Sequence, residues 1–320
     1  MKILRRILFF VLFLFLFLCM GIILWCFVPA EKMDVSKTFS MHNMAYLKFN
    51  LNKGNVSLWD EAVDFKFAEE FLAGSFMNRL ALKAGGRFFS PFCVMSLVNK
   101  SPGGEDDFNY VFLIKSQKIA RFLQISFGFY SKSSSFKEGY ELEKFCRWSV
   151  WKSRKTDEDL KAVAFCGDTC IFFVGETNVA EFMSDMCSDS KAKPEKTKLF
   201  NKTVLWPFFL YLEDDEKVLN FYLSKAKEKT SYDFFPAISD LKEAFVSFGK
   251  ESVPGKREGN MNFYFEETTD FKKAGKDIWF LSQVLKRMFE ANFYDYKYEL
   301  DVVKNEITVN FELTNRRKSK

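Results

Sequence analysis

Three runs of acidic residues and one glycine-rich loop are the parts of this 320-residue sequence that could carry out chemistry. Pro102-Gly103-Gly104 precedes Glu105-Asp106-Asp107, and glycines followed by carboxylates can hold a phosphate or a metal ion. Asp157-Glu158-Asp159 and Glu213-Asp214-Asp215 could supply paired carboxylates for acid–base hydrolysis of a glycan. Each acidic run is nevertheless predicted in a turn or at a helix start, where carboxylates stay hydrated or bind backbone amides. We therefore predict no catalytic residue among them.

The glycine-rich loop recurs in the second half of the chain without its acidic run. The stretch around Pro102 aligns with the stretch around Pro254, and Lys256, Arg257 and Glu258 stand where the first copy has its three acids, so the turn is retained and the charge is not. A turn needs proline and glycine for its backbone angles, whereas a ligand site would also need the side chains. We therefore interpret both stretches as hairpin turns. Neither lies between a strand and a helix at the spacing of a phosphate-binding loop.

The sequence contains one histidine, His42, which lies in a polar stretch close to the N-terminus. A hydrolase triad, a zinc triad and a histidine proton shuttle each need histidine in a formed pocket. We interpret His42 as a solvated connector residue. The shortage of histidine disfavours these three chemistries and leaves carboxylate or Ser-Lys chemistry open.

The cysteines predict neither a disulfide framework nor a metal site. Five of them lie beyond residue 30, and an odd number in so long a chain is not typical of a stapled fold. Cys166 and Cys170 flank a Gly167-Asp168-Thr169 hairpin loop, so they could form a bridge across it or remain two buried free thiols. A CxxxC pair without a second pair or a nearby histidine falls short of the four ligands of zinc. We predict no metal and no cofactor.

The first thirty residues predict a membrane anchor. Three basic residues within 1–6 precede residues 7–28, a 22-residue stretch without a charge. A helix of that length crosses the hydrocarbon core, which is about 30 Å thick, and the basic flank stays in the cytoplasm. The predicted location is the bacterial inner membrane, single-pass, with residues 31–320 extracytoplasmic. An uncleaved signal anchor is favoured because the apolar region of a cleavable signal peptide has about 7–15 residues, and cleavage after Ala30 is the alternative.

The net charge of +5 does not indicate a nucleic-acid partner. Three of the 47 basic residues belong to the predicted anchor and four to the C-terminal tail, which leaves 40 basic against 42 acidic residues in between. Such a balance produces no positive field that would attract nucleic acid. We therefore predict no nucleic-acid partner.

Hydrophobic periodicity predicts an alternation of strands and helices beyond residue 43. The segment AYLKFNLN, residues 45–52, alternates apolar and polar side chains with the period of a half-buried strand. Apolar residues from Phe271 to Met288 recur at spacings of three and four, which predicts an amphipathic helix over 269–290. A further helix is predicted over 58–83, ended by Gly85-Gly86.

The predicted order of elements is the same in both halves, which we interpret as a degenerate internal duplication. The predicted domains are a basic stub and anchor (1–30), a connector (31–43), a first module (44–187), a linker (188–203), a second module (204–314) and a basic tail (315–320). The predicted fold class is α+β, with one N-terminal transmembrane helix followed by two related modules of mainly antiparallel sheet. Long helices are predicted to pack on one face of the sheets and to turn the following side chains inward: Trp59, Phe67, Leu281 and Leu285.

Three stretches carry a resemblance to known proteins: AYLKFNLN, CVMSLVNKSPGGEDDFNYVFLIK and AVAFCGDTCIFFVGETNVAEF. Their pattern resembles uncharacterised bacterial envelope proteins that have a single anchor and tandem strand–helix–hairpin modules. The resemblance covers most of residues 44–290 as an order of elements. It implies an architecture and an envelope location, and it implies no activity, cofactor or site residue.

These observations favour a membrane-anchored, extracytoplasmic protein that binds a partner or acts as a scaffold in the cell envelope, without enzymatic activity. Its predicted partners are the membrane, through residues 7–28, and an unidentified envelope protein or lipid. One alternative is a carboxylate-dependent enzyme acting on envelope glycans or lipids, which would need carboxylates that converge in a pocket. Another is a lipid-binding module with a groove between the Phe271–Met288 helix and the sheet.

Overall fold

The computed structural model describes a large part of the chain and leaves several stretches undescribed. The described residues are 20–21, 23–35, 45–51, 60, 76–100, 108–155, 160–175, 178–187, 207–213, 241–253, 255–267, 269–291 and 294–316. Several sequence predictions therefore fall outside the described residues: the glycine-rich loop with its acids, the 157–159 run, Asp214 and Asp215, His42, Trp59, Phe67 and the 188–203 linker.

From residue 45 onward, the described chain forms twelve strands and five helices. They are β1 (Ala45–Leu51), α1 (Phe76–Phe89), β2 (Phe92–Lys100), β3 (Phe108–Lys115), α2 (Gln117–Tyr130), α3 (Ser134–Gly139), β4 (Tyr140–Phe145), β5 (Trp148–Ser153), β6 (Leu160–Cys166), β7 (Thr169–Val174), α4 (Val179–Cys187), β8 (Phe208–Glu213), β9 (Leu241–Val253), β10 (Lys256–Phe265), α5 (Phe271–Ala291), β11 (Tyr294–Val303) and β12 (Glu306–Asn315). The predicted end of the first helix at Gly85-Gly86 is wrong, because α1 continues through both glycines to Phe89.

All twelve strands belong to one antiparallel sheet, in the order β11-β12-β10-β9-β8-β1-β2-β3-β7-β6-β5-β4. The predicted fold class, with separate modules, is therefore wrong. The two halves meet at the β1–β8 pair, where Leu47 lies opposite Leu210. Alternation of apolar and polar side chains predicts that a segment is a strand, but it does not predict which strand it pairs with. The sequence therefore did not predict a sheet that runs through both halves.

The strand order reads alike in both directions from the β1–β8 pair. One side continues β1-β2-β3-β7-β6 and the other β8-β9-β10-β12-β11, and in each the third strand pairs with the second strand of the closing hairpin. The first side alone carries the additional β4–β5 hairpin at its edge. This hairpin and α3 had no counterpart among the sequence predictions.

Helices cover both faces of the sheet, not one face as predicted. α2 packs near Phe172 of β7, and α5 packs near Val246 of β9. These two residues are linked by directly opposite residues on β3, β2, β1 and β8, so both helices lie on the same face of the sheet. On the opposite face α4 turns four buried side chains onto β3, β6 and β7: Val179, Phe182, Met183 and Met186. Phe182 meets Phe173 edge-to-face at 5.3 Å between ring centroids. The sheet is therefore sandwiched by helices in its first half.

In the second half, the face opposite α5 is polar. Asn260 and Asn310 lie opposite each other and share a side-chain hydrogen bond of 2.6 Å, and Asn262 donates to Glu306 at 3.2 Å. An antiparallel sheet can leave one face in water when its strands alternate in this way. The core of this half lies on the other face, where Ala274, Ile278 and Ser282 of α5 are buried.

The transmembrane helix predicted over residues 7–28 is not supported. Among the described residues no helix combines the length and the hydropathy that crossing a membrane requires. Residues 7–19 and 22 lie outside the described residues, and the helical part that is described ends at Cys26. Gln117 of α2 donates hydrogen bonds to the carbonyl oxygens of Cys26 and Val28, at 3.4 and 2.9 Å. The end of the predicted span therefore lies against α2.

We expect Gly259→Ala to destabilise the second half of the sheet. Gly259 pairs with Phe311, and a Cβ at residue 259 would lie 2.1–2.7 Å from three atoms of that ring. Overpacking of this kind costs about 1–3 kcal/mol in the free energy of unfolding, which urea titration would measure. Gly275→Ala in α5 is the matched control, because a Cβ there meets nothing within 4 Å and should stabilise the helix by about 0.5–1 kcal/mol. Equal stability of Gly259→Ala and the wild type would contradict this packing.

Candidate functional site

A cavity of about 430 Å³ beside the β4 edge of the sheet is the strongest candidate site in the described part of the chain. Its walls are α2, the β4–β5 hairpin, the β6–β7 turn and Ala30 and Glu31. The last two residues belong to residues 29–35, which we call the N-terminal strap. Cavities that bind small ligands have volumes of about 300–1,000 Å³. This cavity falls within that range.

Aromatic side chains form the apolar part of the cavity. Phe127 of α2 meets Phe165 of β6 edge-to-face, with 5.3 Å between ring centroids. Trp151 of β5 is fixed from behind by Phe136 of α3, at 5.2 Å. These rings belong to separate elements that pack on the same face of the sheet, so the apolar part of the wall is built from packed side chains of helices and strands.

A disulfide bond fixes the tip of the β4–β5 hairpin. Cys146 lies in the hairpin turn with a φ of +53°, a left-handed conformation that is costly for a residue with a side chain. It is bonded to Cys187 at the end of α4, which is 41 residues further along the chain. The bond ties the hairpin to the opposite face of the sheet. Among the described cysteines, Cys166 and Cys170 are free and buried, so the alternative of a bridge between them is wrong.

The N-terminal strap is held by Asp168 in the β6–β7 turn. The Asp168 amide donates to the Glu31 carbonyl oxygen at 2.8 Å, and its buried carboxylate accepts the Met33 amide at 3.0 Å. Lys115 at the end of β3 donates to the Met33 carbonyl oxygen at 2.6 Å. Met33 and Val35 are buried in the core of the first half. Residues 31–35 are therefore docked, whereas the sequence predicted a polar connector over 31–43.

The same aspartate also positions α2. The Asp168 carbonyl oxygen accepts the amide of Ser116 at 2.9 Å. Ser116 is the N-cap of α2, and its hydroxyl accepts the amide of Ile119 at 3.4 Å. Asp168 thereby connects three walls of the cavity, namely the turn, the strap and the start of α2.

Two arginines bring positive charge to the cavity. Arg147, in the hairpin turn, forms an ion pair with Glu31 of the strap at 2.5 Å and stacks over the Trp148 ring at 4.7 Å. Arg121 of α2 donates to the Pro29 carbonyl oxygen at 3.2 Å. The Arg121 Nε atom is buried and has no hydrogen-bond partner within the described chain.

The cavity is suited to binding rather than to acid–base catalysis. Glu31 is the one carboxylate among the lining residues that the structure describes, and it is paired with Arg147. Guanidinium groups bind carboxylate, sulfonate and phosphate through charge-assisted hydrogen bonds. Within the described residues, no group of three or more histidine, cysteine or acidic side chains is placed to hold a metal ion.

The buried thiols near the cavity are chemically quiet. Burial raises the pKa of Cys166 to about 12 and that of Cys170 to about 12. Since the thiolate is the nucleophile, such a pKa leaves almost no reactive form at neutral pH. On the same sheet, burial lowers the pKa of Lys48 and raises that of Cys93 to about 11, and neither residue lines the cavity.

The residues that build the cavity were not among the sequence predictions for chemistry. Of the acidic runs, the structure describes Glu213 at the end of β8, away from the lining residues. The useful signal was the Gly167-Asp168 turn, where a polar residue follows a glycine between two apolar strands. Arg147, Trp148 and Trp151 lie more than 110 residues from Glu31 in the sequence, and the pairing of β5 with β6 brings them beside the β6–β7 turn that holds the strap.

Comparison with known proteins identifies no family for this chain. No protein-family model matches it, and no curated protein matches it significantly. Among solved structures, TP0453 in its crystal form III is similar at a TM-score of 0.49 and 10% sequence identity, over 89% of this chain and 96% of that chain. A similarity at this level does not establish a shared fold. The resemblance to uncharacterised envelope proteins stays a prediction.

We expect Gly167→Ala to release the strap. A Cβ at residue 167 would lie 2.2 Å from the Glu31 carbonyl oxygen, and the φ of +63° disfavours any side chain. Trypsin cleavage after the exposed Lys32 requires the strap to open, so we expect it to become about tenfold faster, which corresponds to about 1.4 kcal/mol.

Gly128→Ala is the matched control for this experiment. Gly128 also lines the cavity, but a Cβ there meets nothing within 4 Å. The rate of cleavage after Lys32 should stay unchanged in this variant. Equal rates in Gly167→Ala and the wild type would show that the strap does not depend on its contact with the turn.

Proposed function

We propose that this chain is a non-enzymatic, extracytoplasmic binding protein of the cell envelope, and that the cavity beside β4 holds a small ligand. The observation that carries the proposal is the composition of the cavity. Aromatic rings form one part of it, and guanidinium and amide groups form another. A ligand site of this kind buries an apolar body and orients it through a few polar groups.

The disulfide bond supports the extracytoplasmic part of the proposal. Disulfide bonds persist in oxidising compartments and are rare in the cytosol. The Cys146–Cys187 bond fixes the β4–β5 hairpin, which is one wall of the cavity, so an oxidising compartment would preserve the shape of the site. The resemblance to envelope proteins points in the same direction.

The cavity favours binding over the two alternative functions. A carboxylate-dependent enzyme would need at least two convergent acidic groups, and the described part of the cavity lining contributes Glu31 alone. A lipid groove under α5 would need open space between that helix and the sheet. Instead, Ala274 and Ile278 are fully buried there, and Leu281 and Leu285 pack against the same core.

The proposal can be tested with a pair of fluorescent probes on the full-length chain. The probes are 8-anilino-1-naphthalenesulfonate and N-phenyl-1-naphthylamine, which share an aromatic skeleton and differ in the sulfonate. We expect at least one of them to bind with a stoichiometry of one. Gly128→Leu should weaken this binding by about tenfold or more, because the new side chain enters open space in the cavity wall.

Gly275→Leu is the matched control, because it makes the same glycine-to-leucine change in a helix that does not line the cavity. Its Cβ also meets nothing within 4 Å, and residue 275 lies on α5. Affinity should stay at the wild-type value in this variant. The proposal fails if neither probe binds, or if Gly128→Leu and Gly275→Leu have the same affinity as the wild type.

A further inference from the structure

We infer that the cavity selects an amphipathic anion, and that the charged group of this ligand takes the place of the Glu31 carboxylate on Arg147. The inference rests on the proposed binding function and adds to it a ligand class and an internal competitor. The ligand class is a carboxylate, sulfonate or phosphate joined to an apolar or aromatic body.

The ion pair of Arg147 is suited to exchange. Its side chain is 67% exposed and that of Glu31 is 47% exposed, so water screens the attraction between them. Exposed pairs of this kind contribute little to stability. Replacing one carboxylate by another anion keeps the guanidinium paired and costs little. Arg147 also stacks on Trp148 at 4.7 Å, which keeps the guanidinium in place when its partner changes.

The backbone of Glu31 stays in place when its side chain moves. The Glu31 carbonyl oxygen accepts the Asp168 amide at 2.8 Å, and the strap beyond it is held through Met33. The carboxylate is thus tethered beside Arg147 at a high local concentration, as an intramolecular competitor for any incoming anion. Only a rotation of the Glu31 side chain is needed to vacate the guanidinium.

Arg121 gives the cavity a second cationic group. Its terminal nitrogens donate to the Pro29 carbonyl oxygen at 3.2 Å and to Gln124 at 3.4 Å. Its buried Nε atom makes no hydrogen bond to the described part of the protein. Arg121 therefore adds positive charge to the lining, while its hydrogen bonds are made to the strap and within α2. With two guanidinium groups against one carboxylate, the described lining carries a net positive charge.

The rest of the lining requires an apolar body on the ligand. Phe127, Phe165 and Trp151 present aromatic surface to the cavity, and Leu142 lies at its rim with 49% of its surface exposed. A small inorganic anion would leave this surface in water. An anion with an aromatic or alkyl body would cover it, which is favourable in proportion to the apolar area removed from water.

Two charge variants and the same probe pair test the inference in the full-length chain. Arg147→Gln should weaken 8-anilino-1-naphthalenesulfonate binding by about tenfold, because a charge-assisted hydrogen bond is lost. Glu31→Gln should strengthen it by about threefold, because the competitor is removed. The affinity of uncharged N-phenyl-1-naphthylamine should stay unchanged in both variants, which controls for damage to the cavity.

The inference is overturned if Glu31→Gln weakens sulfonate binding, or if each variant changes the affinity of both probes equally. In those cases Glu31 and Arg147 are structural parts of the wall. If Gly128→Leu abolishes the binding of both probes and Arg147→Gln changes neither affinity, the proposed function is supported and only this inference is wrong. If neither probe binds, both the proposed function and this inference are wrong.

A competition experiment distinguishes amphipathic anions from free anions. Decanoate should displace 8-anilino-1-naphthalenesulfonate from the wild type, and inorganic phosphate at the same concentration should not. Displacement by phosphate as effective as that by decanoate would contradict the need for an apolar body. Displacement by decanoate that persists undiminished in Arg147→Gln would contradict the need for the charge.

Discussion

The buried residue Asp168 makes the contacts on which the candidate site depends. Its amide and carboxylate hold the backbone of residues 31–33, and its carbonyl oxygen accepts the amide of Ser116, the N-cap of α2. Thr169 donates to the same carboxylate at 3.0 Å, and Lys115 lies 3.9 Å from it. Because carboxylates buried to this extent need several partners to be stable, each of these contacts also supports the others. Loss of this one side chain would release the Met33 amide of the strap, whereas the backbone bonds of residue 168 to Glu31 and Ser116 do not depend on it.

The single sheet gives this contact a rigid base. β6 and β7, which carry the turn at Asp168, are interior strands that pair with β5 and β3. The Cys146–Cys187 bond ties the edge hairpin to α4 on the opposite face, so the hairpin cannot move away from the turn freely. Binding sites built on such elements hold their geometry better than sites on loops. The half-exposed Glu31 side chain can rotate away from Arg147 while the strands and helices of the wall stay in place. A ligand anion can then take the position of the Glu31 carboxylate.

The sequence predicted local elements well and long-range assembly poorly. Alternation predicted β1 and the spacing of apolar residues predicted α5, because each signal is contained within a short window. The β1–β8 pair was missed because pairing depends on partners 163 residues apart, as with Leu47 and Leu210. The bond between Cys146 and Cys187 was missed because an odd cysteine count gives no pairing. The cavity was missed because Glu31, Arg121 and Arg147 belong to no common sequence motif, and only tertiary packing brings them together.

Native-state hydrogen exchange at the strap tests the account most directly. The amide of Met33 donates to the buried carboxylate of Asp168, and the amide of Asp168 donates to Glu31, whereas no hydrogen bond within the described chain involves the amide of the neighbouring Lys32. We expect Met33 and Asp168 to exchange as slowly as interior residues of β7, and Lys32 to exchange orders of magnitude faster. Exchange of Met33 at the rate of Lys32 would contradict the account, because the strap would then not form a wall of the cavity.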